Sequence, residues 1–253
     1  MFVEERRNTI VDLVNKKNRA SVIELSSFLK VTEATIRRDL CDLEQRELIV
    51  RTHGGALRID KTSREAPLQE RVTQRKGQKS RIAQFVSQLV RHGETIMMDG
   101  GSTTLLVAQM LVSKSNLMVV TNSPPIGETL AEVNGSRVIL VGGELRRRTD
   151  SLIGTSAELT LKQFRADKAI LGMSGLLVDE GFFSVNPQES EIKRIMARCA
   201  KETVVVMDSS KIGKVTFSFV FDFSAVRRLI TDSGIAKEDV TRLEEHGIEV
   251  ITV

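Results

Sequence analysis

The chain has 253 residues, of which 41% are hydrophobic and 28% charged, a composition typical of a globular protein with a core of its own. The apolar runs are too short to cross a bilayer, and the charged amino end lacks a signal-peptide core, so we expect a cytoplasmic protein. The two cysteines and three histidines lack the spacing of a disulfide framework or a zinc site, so no metal is predicted.

Positive charge is concentrated at the front of the chain. The net charge is +4, but residues 1–82 contain 18 basic and 12 acidic residues, whereas the remainder contains 19 basic and 21 acidic residues. This asymmetry favours an acidic partner for the front segment.

Residues 1–58 are predicted to form three helices and a hairpin. Apolar spacing predicts helices over residues 3–16 and 22–29, followed by a tight turn at "KVT". Thr32 can cap a third helix that runs to about Arg46. The stretch "LIVRTHGGAL" predicts two short strands that meet at Gly54-Gly55.

The third helix carries two adjacent arginines. Ile36, Leu40 and Leu43 share one face, so Arg37 and Arg38 should face outward, because burial of an unpaired charge is costly. For "IRRDL" alone, a solvated charged helix is the simpler interpretation. Two short helices joined by a tight turn and followed by a hairpin are, however, typical of a winged helix-turn-helix. The pattern predicts such a DNA-binding domain over residues 1–58, with the helix-turn-helix at about residues 20–39 and its second helix in the major groove.

Arginine suits forked contacts with guanine edges and with phosphates. We therefore predict base contacts on the third helix and phosphate contacts around it. The predicted base contacts are Thr35, Arg37 and Arg38, and the predicted phosphate contacts are Lys30, Arg51 and His53, with Thr32 as both helix cap and phosphate donor.

Beyond the front domain, residues 59–79 are polar and charged and are predicted to be a linker. A helix is predicted from Ser80, and from Thr95 onward short apolar runs alternate with amphipathic helical stretches. This alternation predicts an α/β domain over residues 80–253 with a mostly parallel sheet covered on both faces.

Polar, glycine-rich loops follow the predicted strands, and ligands of open parallel sheets bind outside the carboxyl ends of the strands. The loop "DGGSTT" precedes a helix and predicts a phosphate cradle, although it is neither a Walker motif nor GxGxxG. Lys211 could add a positive charge, and Asp99, Asn122 and Glu189 could bind sugar hydroxyls. For any single loop, ordinary turn chemistry remains the alternative. The run Arg146-Arg147-Arg148 is interpreted as a solvated loop.

These motifs resemble the DeoR family of bacterial transcriptional regulators over nearly the whole chain. The resemblance is carried by "VTEATIRRDLCDLEQRELIVRTHGGA" at the front, and by "DGGSTT", "VTNS", "VGGELR", "ADKAILGMSGL", "NPQESEIKRIMA", "MDSSKIGK" and "LITDSG" behind it. It implies a sensor domain related in fold to sugar-phosphate isomerases, with a phosphorylated sugar as effector. The implied effector contacts are Asp99, Ser102, Thr103, Thr104, Asn122, Gly143, Glu189 and Lys211.

Two hypotheses follow. The first is a DNA-binding regulator, a repressor of a sugar or carbohydrate catabolism operon, that acts as a homo-oligomer and responds to a phosphorylated sugar. The second is a sugar-phosphate isomerase or deaminase with a fused DNA-binding module, in which Asp99, Asp208, Glu189 and Lys211 do acid–base work. The basic front module, which an isomerase does not need, favours the regulator, so no catalytic residue and no cofactor are predicted.

Overall fold

A computed structural model describes residues 3–46, 48–52, 54–58 and 65–253. The predicted three helices and hairpin of the front domain are confirmed. A short strand that the sequence did not predict joins the hairpin, giving an antiparallel sheet in the order β1-β3-β2. The elements are α1 (Val3–Lys17), β1 (Arg19–Ser21), α2 (Val22–Leu29), α3 (Glu33–Gln45), β2 (Ile49–Thr52) and β3 (Gly55–Arg58).

Local capping fixes the ends of α2 and α3. α2 starts at a capping box in which the Ser21 hydroxyl accepts from the Glu24 backbone N–H and the Glu24 carboxylate accepts from the Ser21 N–H. It ends at Lys30, which takes the left-handed conformation with φ 54°. Thr32 then caps α3 by accepting a hydrogen bond from the Thr35 N–H. These signals are contiguous in sequence, which is why the turn could be predicted.

The segment predicted as a linker contains helices in its second half. α4 (Leu68–Thr73) lies within it, and α5 (Lys76–Leu89) begins earlier than the predicted Ser80. Leu68, at the start of α4, is buried, and Val72, the other apolar residue of this helix, is half-buried. Two apolar residues in a six-residue helix are too few to produce a detectable periodicity, so the sequence pattern did not reveal α4. Residues 59–64 of the predicted linker lie outside the described residues.

Seven strands of the second domain form a parallel sheet in the order β15-β14-β12-β9-β4-β5-β6 within residues 95–252, which are all described. This confirms the predicted α/β class. The strands and helices, numbered along the chain, are β4 (Thr95–Met98), α6 (Ser102–Met110), β5 (Met118–Thr121), α7 (Pro124–Ala131), β6 (Arg137–Leu140), β7 (Glu144–Arg146), β8 (Ser151–Ile153), α8 (Thr155–Lys162), β9 (Ala166–Gly172), β10 (Gly175–Leu177), β11 (Gly181–Ser184), α9 (Pro187–Cys199), β12 (Ala200–Val206), β13 (Ser218–Phe221), β14 (Arg228–Thr231), α10 (Lys237–Glu245) and β15 (Glu249–Thr252).

Helices cover both faces of this sheet. α5, α6 and α7 pack on one face with Ile96 and Met98, and α8, α9 and α10 pack on the other with Met97. Because successive side chains of a strand point to opposite faces, a strand buried on both sides is a nearly continuous run of apolar residues. After an initial threonine, the runs "TIMM" and "TVVV" have this composition.

The order of the strands defines where a crevice can form. From β4 the chain moves outward to β5 and β6, and it then crosses to β9 on the other side of β4. The topological switch point therefore lies between β4 and β9, which is where open α/β sheets bind ligands.

Two smaller sheets were not predicted from the alternation of strands and helices. β7 and β8 form a hairpin, and β10, β11 and β13 form an antiparallel sheet beside the main one. The Gly213 N–H donates to the Leu176 carbonyl at 2.8 Å, and Leu176 also bridges to Lys214. The small sheet thus holds the segment after β12 in place at the edge of the main sheet. Within the described residues, no helix has both the length and the apolar character that a membrane span needs.

Candidate functional site

The outer face of α3 is cationic. Ile36, Leu40 and Leu43 are 0–1% exposed and pack into the front domain's core, whereas Arg37 and Arg38 are exposed. This is the orientation that the helical spacing predicts, and it leaves the arginines available to an external partner.

α3 is held against α1 by a buried carboxylate that sequence reasoning missed. Asp39 is buried and accepts from Arg6 at 2.6 Å and from Arg7 at 3.1 Å, both on α1. An "RDL" triplet gives no sign that the aspartate faces inward, because its partners lie more than 30 residues away.

The amino end of α3 is polar and open. The Thr32 and Thr35 hydroxyls lie 3.0 Å apart. Arg37 reaches Glu33 only at 3.6 Å, with both side chains half-exposed, and such a pair contributes little. Arg38 pairs with no carboxylate within the described residues. The two arginines are therefore free to move onto another anion.

The remaining predicted DNA contacts surround this helix. Lys30 is exposed at the turn before α3, and Arg51 is exposed on β2. His53 lies outside the described residues. The structure thus brings the described members of the predicted set to the turn, α3 and β2; which of them touch DNA stays a prediction.

A cavity of about 420 Å³ opens at the carboxyl ends of β4, β9 and β12, at the switch point of the sheet. Its walls include residues 99–103 after β4, residues 172–174 after β9, and Met207, Asp208, Ser210 and Lys211 after β12. Of the described residues, six basic and four acidic side chains line it, an excess of two positive charges. In the described part of the chain, no cluster of His, Cys, Asp and Glu could hold a metal ion.

The loop between β4 and α6 forms the floor of the cavity. Ser102 and Thr103, at the first turn of α6, line it. The Thr104 hydroxyl is turned inward and donates to the Asp99 carbonyl at 2.8 Å. No side chain among the described residues caps α6, so the positive end of the helix faces the cavity without a protein anion of its own. That is the environment in which a phosphate is stabilised.

Three predicted contact residues are not part of the cavity wall. Thr104 is fully buried, and Asn122 accepts from the Gly100 N–H at 3.0 Å and donates to the Leu152 carbonyl at 3.0 Å. Gly143 has φ +137°, and a side chain there would meet the Ile153 carbonyl oxygen at 2.5 Å. Asn122 and Gly143 follow β5 and β6, on the side of β4 away from the switch point. These residues support the loops behind the cavity.

Asp99 lines the cavity but is already paired. It is 1% exposed, accepts from the Gly172 N–H at 2.8 Å and forms an ion pair with Lys193 of α9. Sequence reasoning missed Lys193. The sequence did contain one indication that Lys193 belongs to the site: it lies four residues after Glu189 on a helix, which places both residues on one face.

Glu189 is held by the β7–β8 hairpin. Its carboxylate accepts from Thr149 at 2.5 Å, Ser151 at 3.0 Å and Arg146 at 3.3 Å. The interpretation of the arginine run as solvated is therefore wrong for Arg146, whose side chain is 19% exposed and pairs with two carboxylates. Arg146, the last residue of β7, is turned toward these carboxylates, whereas Arg147, in the turn that follows, is exposed.

Lysines supply the cavity's positive wall. Burial lowers the pKa of Lys79 from 10.5 to about 8, against the opposing effect of Asp208. Burial also lowers the pKa of Lys211. The Lys79 ammonium donates to the Arg71 carbonyl at 2.5 Å. Lys79, Arg75 and Arg71 come from the segment predicted as linker, where the basic spacing of "RVTQRKGQK" was the only sign of a role.

Family models match both domains of the chain. The family model described as "DeoR-like helix-turn-helix domain" matches residues 6–62, and the model described as "DeoR C terminal sensor domain" matches residues 74–233. Among solved structures, ribose 5-phosphate isomerase A from Methanocaldococcus jannaschii is similar, with a TM-score of 0.39 and 16% identity over 54% of each chain.

Curated relatives match over almost their whole length. The HTH-type transcriptional regulator GlpR of Haloferax volcanii is 34% identical, over 99% of this chain and 98% of its own. The glycerol-3-phosphate regulon repressor of Escherichia coli K12 is 34% identical, over 97% of each chain. Both are named as regulators of transcription, not as enzymes. The chain therefore belongs to the DeoR family of helix-turn-helix transcriptional regulators.

Proposed function

We propose that this regulator represses an operon for sugar or carbohydrate catabolism and that a phosphorylated sugar, or a similar small phosphate ester, controls its DNA binding. The observation that carries the proposal is the cavity at the switch point, where the uncapped end of α6 and an excess of two positive charges suit a phosphoryl dianion. The relative named for the glycerol-3-phosphate regulon supports this ligand and operon class.

Within the cavity, we assign the phosphoryl group to Ser102, Thr103 and Lys211. The hydroxyls and the amino end of α6 would donate to its oxygens, and Lys211 would neutralise its charge. Asp99 and Glu189 face the rest of the ligand and would accept from its hydroxyl groups. Thr104, Asn122 and Gly143 would keep these loops in place without touching the ligand.

On DNA, we assign base contacts to Thr35, Arg37 and Arg38, and phosphate contacts to Thr32, Lys30, Arg51 and His53. One helix-turn-helix domain reads one half-site, so the protein would act as a homo-oligomer on a repeated or palindromic operator.

A pair of variants tests both assignments in one assay, the binding of the full-length protein to labelled DNA from the promoter that it controls. Arg38→Ala should weaken specific DNA binding by about tenfold or more, since a forked guanine contact is worth about 1–3 kcal/mol, yet leave sugar-phosphate binding unchanged. Lys211→Ala should bind DNA normally but no longer respond to the sugar phosphate. If Arg38→Ala binds the promoter as tightly as the parent protein does, the assigned recognition face is wrong.

A second measurement tests whether the protein catalyses a reaction of sugar phosphates. An NMR time course with a panel of sugar phosphates should show binding without turnover. Conversion at useful rates would instead support the isomerase or deaminase hypothesis.

A further inference from the structure

The segment that connects the two domains lies against the β7–β8 hairpin. We call residues 65–75 the connector; it contains α4 and leads into α5. The Leu68 N–H donates to the Arg148 carbonyl at 3.0 Å, and the Gln69 amide donates to Asp150 at 2.8 Å. The Arg148 guanidinium in turn donates to the Glu65 carbonyl. The connector is therefore docked on the sensor domain by hydrogen bonds that the connector donates to the hairpin and that the hairpin donates to the connector.

Glu65 is the centre of this docking. Its carboxylate is 5% exposed, with one oxygen 2.9 Å from Arg71 and the other 2.7 Å from Arg146. Arg146 also reaches Glu189 at 3.3 Å. A buried carboxylate with two guanidinium partners is a strong local arrangement, and its loss would leave Arg71 in need of another anion, whereas Arg146 would keep Glu189.

Three of these residues also face the effector cavity. Glu65, Arg71 and Glu189 line it together with Lys211, whereas Arg146 is not part of its wall. Glu65, Arg71 and Lys211 also line a second groove of about 850 Å³, whose opposite wall includes Arg19 and Leu57 of the front domain. The ion pairs of Glu65 thus form a partition between the cavity and the groove beside the DNA-binding domain.

We propose that Glu65 is the resident counter-ion of the effector site, and that the phosphoryl group of the effector, held by Ser102, Thr103 and Lys211, replaces it on Arg71. Arg146 then keeps Glu189 as its partner. The proposal rests on the proposed function, that is, on a phosphorylated ligand in this cavity. A carboxylate carries one negative charge and a phosphate monoester nearly two at neutral pH, so the ligand competes well for the guanidinium group of Arg71.

This exchange gives the ligand a different affinity for two states of the connector, which is what a change in DNA affinity requires. Without ligand, Glu65 keeps the connector docked on the hairpin. With ligand, the carboxylate leaves the cavity, the docking contacts of Leu68 and Gln69 weaken, and the front domain is released from its position on the sensor domain.

Glu65→Gln tests the exchange, because glutamine keeps the shape of glutamate but removes the competing charge. In calorimetric titrations of the full-length protein with inorganic phosphate at low salt, this variant should bind phosphate at least about threefold more tightly than the parent protein. Glu70→Gln is the matched control: Glu70 is exposed on α4 of the same connector and accepts from Gln74, so the phosphate affinity of this variant should equal that of the parent protein. Equal or weaker phosphate binding by Glu65→Gln would overturn the proposal.

A second readout follows the connector itself. Hydrogen exchange of the Leu68 amide should be accelerated by phosphate in the parent protein, and it should already be fast without phosphate in Glu65→Gln. Phosphate that binds without any change at Leu68 would contradict the release step.

The variant Lys211→Ala distinguishes a failure of the counter-ion inference from a failure of the proposed effector site. If this variant loses phosphate binding while Glu65→Gln behaves like the parent protein, the counter-ion inference fails and the cavity assignment stands. If phosphate binds Lys211→Ala as well as the parent protein, or binds none of these proteins, the proposed effector site fails, and the inference fails with it.

Discussion

Lys79 shows how the fold sets the charge of a single residue. Its side chain is almost fully buried beside Arg71, Arg75, Lys211 and Asp208. Desolvation is the largest cause of its pKa of about 8, and the neighbouring cations add to the effect. A ligand dianion would supply the missing negative charge, so Lys79 should be more fully protonated in the complex than in the free protein.

This predicts a pH dependence of effector binding. A phosphate monoester stays a dianion between pH 7 and 9, because its second pKa is about 6, whereas Lys79 loses its proton as the pH rises through about 8. The affinity for a phosphate ester should therefore fall from pH 7 to pH 9 in calorimetric titrations. Lys79→Met should bind more weakly at pH 7 and lose much of this fall. An affinity that is constant over this range in the parent protein would contradict the placement of Lys79 in the site.

At the scale of elements, the front domain depends on the close approach of β3 to β1. Gly55 pairs with Ser21, and a Cβ at Gly55 would lie 2.7 Å from the Ser21 Cα and closer still to the Ala20 carbonyl oxygen. Backbone atoms cannot move aside as a flexible side chain can. The hairpin therefore requires glycine here for space.

We predict that Gly55→Ala destabilises the front domain by about 1–3 kcal/mol, the usual cost of forcing extra volume into packed structure, and weakens DNA binding. Gly54→Ala is the control, because its Cβ would meet nothing within 4 Å. Thermal unfolding followed by circular dichroism measures both variants. Equal melting temperatures for the two would show that β1 and β3 do not approach as described.

Local patterns account for the elements that could be predicted. β4, β9 and β12 contain the apolar runs "IMM", "AILG" and "VVV", and the cap residue Thr32 lies four residues before Ile36 on the apolar face of α3. The short strands β1, β7 and β10 have three residues each and no alternation long enough to detect. The site was harder still, because the order of strands in the sheet is a long-range property. From the sequence, all loops that follow the strands were expected to contribute to a site at one edge of the sheet. The strand order instead places the cavity at the loops after β4, β9 and β12.

Charge pairing across long distances explains the remaining differences. Asp99 with Lys193, Glu65 with Arg146 and Asp39 with Arg6 are pairs separated by more than 30 residues. Each member alone looks like an ordinary surface residue, so only the fold shows that the pairs are buried.

At the scale of the whole molecule, the proposed effector site and the DNA-binding domain lie on either side of the partition formed by the ion pairs of Glu65. α3 presents its arginines outward from the front domain, the cavity gathers cations at the sheet's switch point, and the connector joins the two while lining the cavity. We infer that the ligand acts on DNA binding through the connector, since the connector is at once part of the effector site and the covalent link to the DNA-binding domain.

The most direct test measures the affinity of the full-length protein for a labelled promoter fragment and for random duplex of equal length, at fixed salt, with and without a panel of sugar phosphates. We predict that the promoter fragment binds about a thousandfold more tightly than random duplex, the lower end for specific regulators. One phosphorylated compound should reduce that affinity by about tenfold, within the usual range of coupling between sites. Equal binding to both duplexes, or a promoter affinity that no phosphorylated compound alters, would contradict the account.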